Sequence, residues 1–385
     1  MEGSISLNIA FEAINKRPQY IAIMAPGGSN KGSGDKAMKT LQQQLLGDKG
    51  YSQLEKMFLF LASMRSIVTS DSNVKETDDL LISRSNIALQ NKLQLLSILI
   101  NIIAYRLMEV HPRKVRKFMR KLLEASSGSA SGTHDGEMEE LDAIRLHDLL
   151  MEDVEPADEI LSTGLPLFLA LWQVLHYHIE QEVPHKLLRS RLVKEQWELL
   201  DHIVRSYELG TISSDSESGD EASEGSTVVA QPLEEQFLAF VAVQATRWQA
   251  TLLLLIDSLA LASELVTPER LDFLARIGEY MEWEGSIAHD LARYQRDASE
   301  RVPNAYLFWL SQRGIAHSEG EAYESEFREV SNALAAAKWE QLQQEAHRDS
   351  WAAAAFSLPA VERVIGLIRQ VYGDRSGHSS RKESF

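Results

Sequence analysis

The residues best suited to chemistry form two clusters and one cationic position. The first cluster is Asp148, Glu152 and Asp153, within Leu146-His147-Asp148-Leu149-Leu150-Met151-Glu152-Asp153. Asp148 and Glu152 stand at i and i+4, so on a helix both carboxylates leave one face, with Asp153 beside them. Two oxygen ligands at that spacing suit Mg2+, a hard cation that keeps several waters and is commonly shared with substrate phosphates. Acidic pairs at the same spacing also occur on solvated helix ends. In the second cluster His289, Arg293 and Asp297 recur at i, i+4 and i+8, flanked by Asp290 and Arg296. Such a face can gather polar groups inside an apolar body, or face solvent with an Arg293–Asp297 ion pair. The cationic position is Arg247, followed by Trp248, in an apolar stretch read as one helix from Phe237 to Leu261. An arginine there can snorkel or pair with a structural carboxylate. Left buried without a partner, such groups would cost several kcal/mol each, on the order of what one core side chain contributes.

The elements that must position these residues are all helical. The chain has 385 residues, 44% hydrophobic and 25% charged, which is enough for a sizeable core. Leu54, Met57, Phe58, Phe60, Leu61 and Met64 mark one apolar stripe, and residues 87–103 are apolar nearly all round. Helical patterns follow over 142–151, 161–182, 187–207, 234–265, 268–300, 305–313, 321–347 and 359–372. No stretch alternates in the manner of a strand, and no repeat period appears. The expected fold is all-α, one large helical bundle spanning residues 1–385. Gly/Ser-rich or acidic stretches at 22–36, 126–137 and 211–230 read as flexible loops, and 376–385 as a disordered tail.

Other function classes are excluded or left bare. The glycine-rich Pro26–Gly34 lacks the order of a phosphate-binding loop. The basic stretch His111–Lys117 reads as a solvated helix start rather than a diphosphate site. A net charge of −17 argues against a nucleic-acid partner and agrees with cation binding. With no cysteine there are no disulfides, thiolate metal sites or cysteine nucleophiles. No run reaches the roughly 18 apolar residues of a membrane span. Met1-Glu2-Gly3-Ser4 shows no secretory pattern, so the expected location is cytoplasmic. The oligomeric state stays open, a homodimer included.

The C-terminal half resembles class I terpene synthases. The resemblance runs from Glu234-Glu235-Gln236-Phe237-Leu238 through Arg247 and Pro268 to His289-Asp290-Leu291-x-Arg293-Tyr294-x-Arg296-Asp297. That family carries a pyrophosphate-sensing arginine, here matched by Arg247, and then an N-D-L-x-S-Y-x-K-E metal motif. His289 stands for the Asn, Arg293 for the Ser, and Arg296-Asp297 for the Lys-Glu ending, while Asp290, Leu291 and Tyr294 match. Val302-Pro303-Asn304, Arg313-Gly314-Ile315, Glu319–Ala322 and Tyr372-Gly373-Asp374 are similar to the family's continuation. Asp148 and Glu152 fall where its aspartate-rich motif belongs, with Leu149 in place of the second aspartate. The resemblance covers roughly residues 140–378, and its altered motifs are similar to those of fungal humulene-synthase-like cyclases of tropolone-sesquiterpenoid pathways.

The resemblance implies a bundle enclosing an apolar cavity in which a prenyl diphosphate, farnesyl diphosphate for preference, ionises with Mg2+. The cation would then cyclise and lose a proton to give a sesquiterpene such as humulene. It implies Asp148, Glu152 and Asp153 as metal ligands on one wall, and His289, Asp290 and Asp297 on the other. Arg247, Arg293 and Arg296 would contact diphosphate oxygens. Glu282, Ser286 and Asp290, at i, i+4 and i+8, form an alternative metal register. Trp172, Phe240, Trp248, Trp283, Phe308 and Tyr372 are candidates for the aromatic cavity wall, where ring faces can stabilise a cation. The departures from the motif leave a catalytically inactive, partner-binding protein of the same fold as the rival expectation.

Overall fold

The computed structural model describes residues 84–129, 159–212, 233–261, 266–300, 302–348 and 358–373. These residues are helical with short connections, and no strand occurs among them. The expected loops and tail fall largely outside them, as does the first acidic cluster of Asp148, Glu152 and Asp153. Ten α-helices are described: α1 (Arg84–Val110), α2 (Pro112–Ser129), α3 (Glu159–Glu182), α4 (Lys186–Ile212), α5 (Leu233–Ala245), α6 (Ala250–Asp257), α7 (Pro268–Glu300), α8 (Ala305–Gln312), α9 (Glu324–Arg348) and α10 (Leu358–Gly373). Three 3-10 turns, Thr246–Trp248, Ser258–Ala260 and His317–Tyr323, join some of them. Several boundaries differ from expectation: α2 continues through Ser129 and α4 through Ile212, α3 begins at Glu159, and α9 begins at Glu324 after a 3-10 turn.

The chain divides into two compact units. The first contains described residues 84–129, 159–201, 255–261 and 266–267. Its centre is α1, apolar nearly all round as its sequence requires, and packed on α3 and α2. Leu93, Leu96, Ile98, Leu99 and Leu107 are fully or almost fully buried. Gln90, Gln94, Ser97 and Asn101, which helical spacing puts on one side of α1, are buried too. Gln90 and Gln94 both donate their side-chain amides to Oδ1 of the buried Asp257, the second at 2.7 Å. Two amide donors offset part of the cost of enclosing a carboxylate. Trp172 of α3 stacks on Phe168 and meets Trp197 edge-on, with centroids 5.9 and 5.2 Å apart.

The second unit contains described residues 202–212, 233–254, 268–300, 302–348 and 358–373. Its axis is the 33-residue α7, and α5, α8, α9 and α10 all pack against it. Arg369 of α10 donates twice to the buried Glu284 of α7, at 2.6 and 3.2 Å, and Tyr280 adds a third donor at 3.1 Å. Beside α7, Tyr306, Trp309 and Phe327 pack ring against ring, with Tyr294 edge-on to Tyr306.

The single apolar helix expected over 237–261 is broken. α5 ends at Ala245, a 3-10 turn carries Thr246–Trp248, and Gln249 takes a left-handed conformation (φ 54°) before α6 begins. The axes on either side differ by 48°. Neither glycine nor proline stands in Ala245–Ala250, so the cause is tertiary. α7 supplies it at two glycines one heptad apart. A Cβ at Gly278 would sit 2.4 Å from the Thr251 Cα, and one at Gly285 would sit 2.8 Å from the Trp248 ring. Gly278→Ala is therefore expected to lower stability by about 1–3 kcal/mol, because the obstructing atom is backbone and cannot rotate away. Urea unfolding measures it, and an unchanged midpoint would show that the break does not rest on α7.

Candidate functional site

The break and α7 together build one polar cluster. Glu282, one turn beyond Gly278, accepts a hydrogen bond from the backbone N–H of Thr251 at 2.8 Å. That carboxylate caps the start of α6, where backbone donors lack helical partners. With the turn held at both ends, Arg247 is aimed along α7. Its Nη2 forms an ion pair with Oδ1 of Asp290, lies 3.1 Å from Nδ1 of His289, and makes a long 3.5 Å contact with Oγ of Ser286. Its Nη1 lies 3.4 Å from Oε1 of Gln244.

Asp290 has no solvent exposure, and each of its carboxylate oxygens has a donor. Oδ1 faces Arg247, and Oδ2 accepts from the backbone N–H of Ala305 at 2.7 Å. The neighbouring Asn304 works with both ends of its amide. Its oxygen caps α8 by accepting from the N–H groups of Tyr306 and Leu307 at 2.9 and 3.1 Å. Its nitrogen donates to the carbonyl of Asp290 and to Oδ2 of Asp297, both at 2.8 Å. Arg293 spans the outer side, with Nη1 at 3.3 Å from Nε2 of His289 and Nε at 3.8 Å from Oδ1 of Asp297. The i, i+4, i+8 face is thus one connected network, and ligand atoms of His289, Asp290 and Asp297 lie within 4.8 Å of one another.

Burial sets the protonation states. It pushes the His289 imidazole down to about 4, and the Arg247 charge acts in the same direction, so the ring is neutral near pH 7. Burial pushes Asp290 up, but the Arg247 guanidinium, His289 and the Ala305 N–H outweigh it and hold the carboxyl below its ordinary value. Burial raises Asp297 to about 6, with the Asp290 charge adding to it and Asn304 opposing it. The two large shifts have opposite consequences. Raised Asp297 contributes stability below about pH 4 that is lost as pH rises through about 6, whereas depressed His289 contributes stability above about 6.5 that is lost as pH falls through about 4. Between pH 4 and 6 they largely cancel. Asp297→Asn removes one arm, so its stability is expected to rise between pH 5 and 7 by about 1 kcal/mol more than that of the wild type. Urea titrations at the two pH values measure this, and identical pH dependence would place the Asp297 carboxyl at its ordinary value.

The structure brings together Arg247, Ser286, His289, Asp290, Arg293 and Asp297 of the expected residues. Arg296 is exposed further along α7, and Glu282 is engaged at Thr251. Trp248 stands over Gly285 with its ring edge-on to His289, centroids 6.2 Å apart. Phe240 and Phe308 stack face to face at 4.2 Å, and Trp283 meets Phe237 edge-on below the Lys338 ammonium. The side chain of Tyr372 and residues 148, 152 and 153 lie outside what is described. Asn304 is the functional neighbour that motif reasoning did not place in the site. Its signal was present, an asparagine directly before the apolar run Ala305–Leu310, the mark of a helix N-cap. No protein-family model, curated protein or solved structure matches this chain.

Proposed function

We propose that this chain is a class I terpene cyclase that ionises a prenyl diphosphate, farnesyl diphosphate for preference, and cyclises the cation to a sesquiterpene of the humulene kind. The observation that carries the reading is the cluster of two buried carboxylates, one neutral imidazole and two partly exposed guanidiniums on α7 and the turn beside it. Few structural needs call for so many opposed charges along one helix, whereas separating a diphosphate from an allylic cation needs both signs at once.

The donor set suits a divalent ion in part. Two carboxylates match a hard cation such as Mg2+, while the imidazole is a softer ligand than Mg2+ prefers. His289, Asp290 and Asp297 would hold the ion, which when bound would polarise the phosphoryl oxygens. The chain's own residues divide the remaining work. Arg247 and Arg293 neutralise charge developing on the departing diphosphate, and Arg293, standing where the family has serine, brings charge in place of a ligand. Asp290 and Asn304 position Arg247 and Asp297. Trp248, Phe240 and Phe308 are the aromatic rings that would stabilise the cation.

One observation favours the rival, an inactive protein of similar fold that binds a partner. Asp290 and Asp297 are already balanced by Arg247 and Arg293, so the network is neutral without an added ion. Incubating the purified chain with C10, C15 and C20 prenyl diphosphates and Mg2+, followed by gas chromatography, decides between them. A cyclic hydrocarbon from the C15 substrate is the expected result. No hydrocarbon from any of the three would leave the inactive reading.

A further inference from the structure

We propose that the outward face of α2 docks this protein on an anionic phospholipid surface. In 18 residues α2 carries Arg113, Lys114, Arg116, Lys117, Arg120 and Lys121 against one carboxylate, Glu124. The whole chain, with 39 basic and 56 acidic residues, has the opposite balance. At 3.6 residues per turn the six cations fall within an arc of about 160°, and Val115, Phe118, Met119 and Leu122 fall within about 100° on the other side.

The structure turns that pattern into a fixed array. The four apolar side chains are buried in the first unit, so the hydrophobic side of α2 is already occupied. Arg113, Lys114, Lys117 and Arg120 are exposed, and Arg116 and Lys121 are half-buried. The entry to the helix is firm. His111 donates its N–H to the Leu107 carbonyl at 2.9 Å and accepts from Val115 at 3.0 Å, with Pro112 at the first helical position. Just before that joint stands Val110, 48% exposed and one of two exposed large hydrophobic residues among those described. A rigid row of point charges with an aliphatic group at its margin has the chemistry of an interfacial contact, where cations meet headgroups and a small apolar side chain enters the layer.

Charge complementarity favours a lipid surface over other polyanions. Within α2 six cations stand against one carboxylate, a local balance opposite to that of the chain as a whole, which suits contact with an extended negative plane. Between Pro112 and Glu124 the exposed side offers only Lys, Arg and Glu124. It has no exposed aromatic ring on which a base could stack, since Phe118 is buried, so a single strand would find charge and guanidinium contacts but no stacking platform.

The test is flotation of the full chain with phosphatidylcholine vesicles containing about one-third phosphatidylserine, against phosphatidylcholine alone. Bound protein is expected to be about tenfold greater with phosphatidylserine at roughly 0.1 M NaCl, and to fall to the neutral-vesicle level at roughly 0.5 M. The triple variant R113E/K117E/R120E should lose about tenfold in binding. K186E/K194E/R205E, which reverses three exposed cations of α4, should bind as the wild type does. Circular dichroism checks helicity, and R113Q/K117Q/R120Q replaces the charge reversal should that variant unfold. Phosphatidylserine-independent binding, undiminished binding by the α2 variants, or tighter binding of a duplex oligonucleotide than of vesicles at equal salt would each overturn the proposal. Cyclase turnover with soluble substrate is a separate measurement, so the two readings fail separately.

Discussion

Asp290→Asn is expected to lower stability by about 3–5 kcal/mol, the largest loss of any single substitution in the cluster. The asparagine oxygen can still accept from the Ala305 N–H, so α8 keeps its anchor. What disappears is the negative charge facing Arg247, whose side chain is only 13% exposed and fixed by its neighbours. His289 is neutral and Asp297 lies nearer to Arg293, so neither takes over the role. A guanidinium in that position without a counter-charge loses hydration and gains nothing in return. Denaturant unfolding at pH 7 measures the loss. A change below about 1 kcal/mol would mean that Arg247 swings out to water at little cost, and that the ion pair is not part of what holds the break in place.

Arg247→Ala carries the largest expected effect on activity, a fall in turnover of about 10²–10⁴-fold with helicity intact. In the proposed cyclase this side chain faces the charge that appears as the diphosphate leaves, where a pre-oriented cation stabilises more than reorganising water can. The loss should fall on kcat more than on KM, because the interaction grows during ionisation. Stability should respond as well, since Asp290 then loses the guanidinium that keeps its carboxyl below the ordinary value. In the double variant the penalties should overlap by about 0.5–3 kcal/mol, the signature of residues acting as a pair. Full turnover by Arg247→Ala would move the reacting centre elsewhere in the chain.

How much of this was legible in sequence varies by element. The all-helical character was plain, because apolar residues recur at helical spacing and strand-like alternation is absent. The limits of α7 could be read from Pro268 at its start and the Val302-Pro303-Asn304 stop after it. The face made of His289, Arg293 and Asp297 follows from spacing alone, and its side chains do meet. The break after Ala245 could not be read, because Thr-Arg-Trp-Gln contains no residue that disfavours a helix strongly. It arises from Gly278, Glu282 and Gly285, some thirty residues away, whose spacing looks in sequence like part of an ordinary amphipathic helix. Protonation was equally hidden. Whether an imidazole is charged depends on burial and on which cations face it, and neither is written in the residue type.

α7 supplies the carboxylates and also the seat on which the arginine-bearing turn rests. Should the long helix slide or tilt, donor and acceptor would travel together, and their separation would survive displacements that disrupt sites assembled from independent segments. Evolution or an engineer could therefore reshape the surrounding helices extensively while the charged constellation stays in register. The vulnerability is concentrated instead at two glycines, where one added methyl would part the halves.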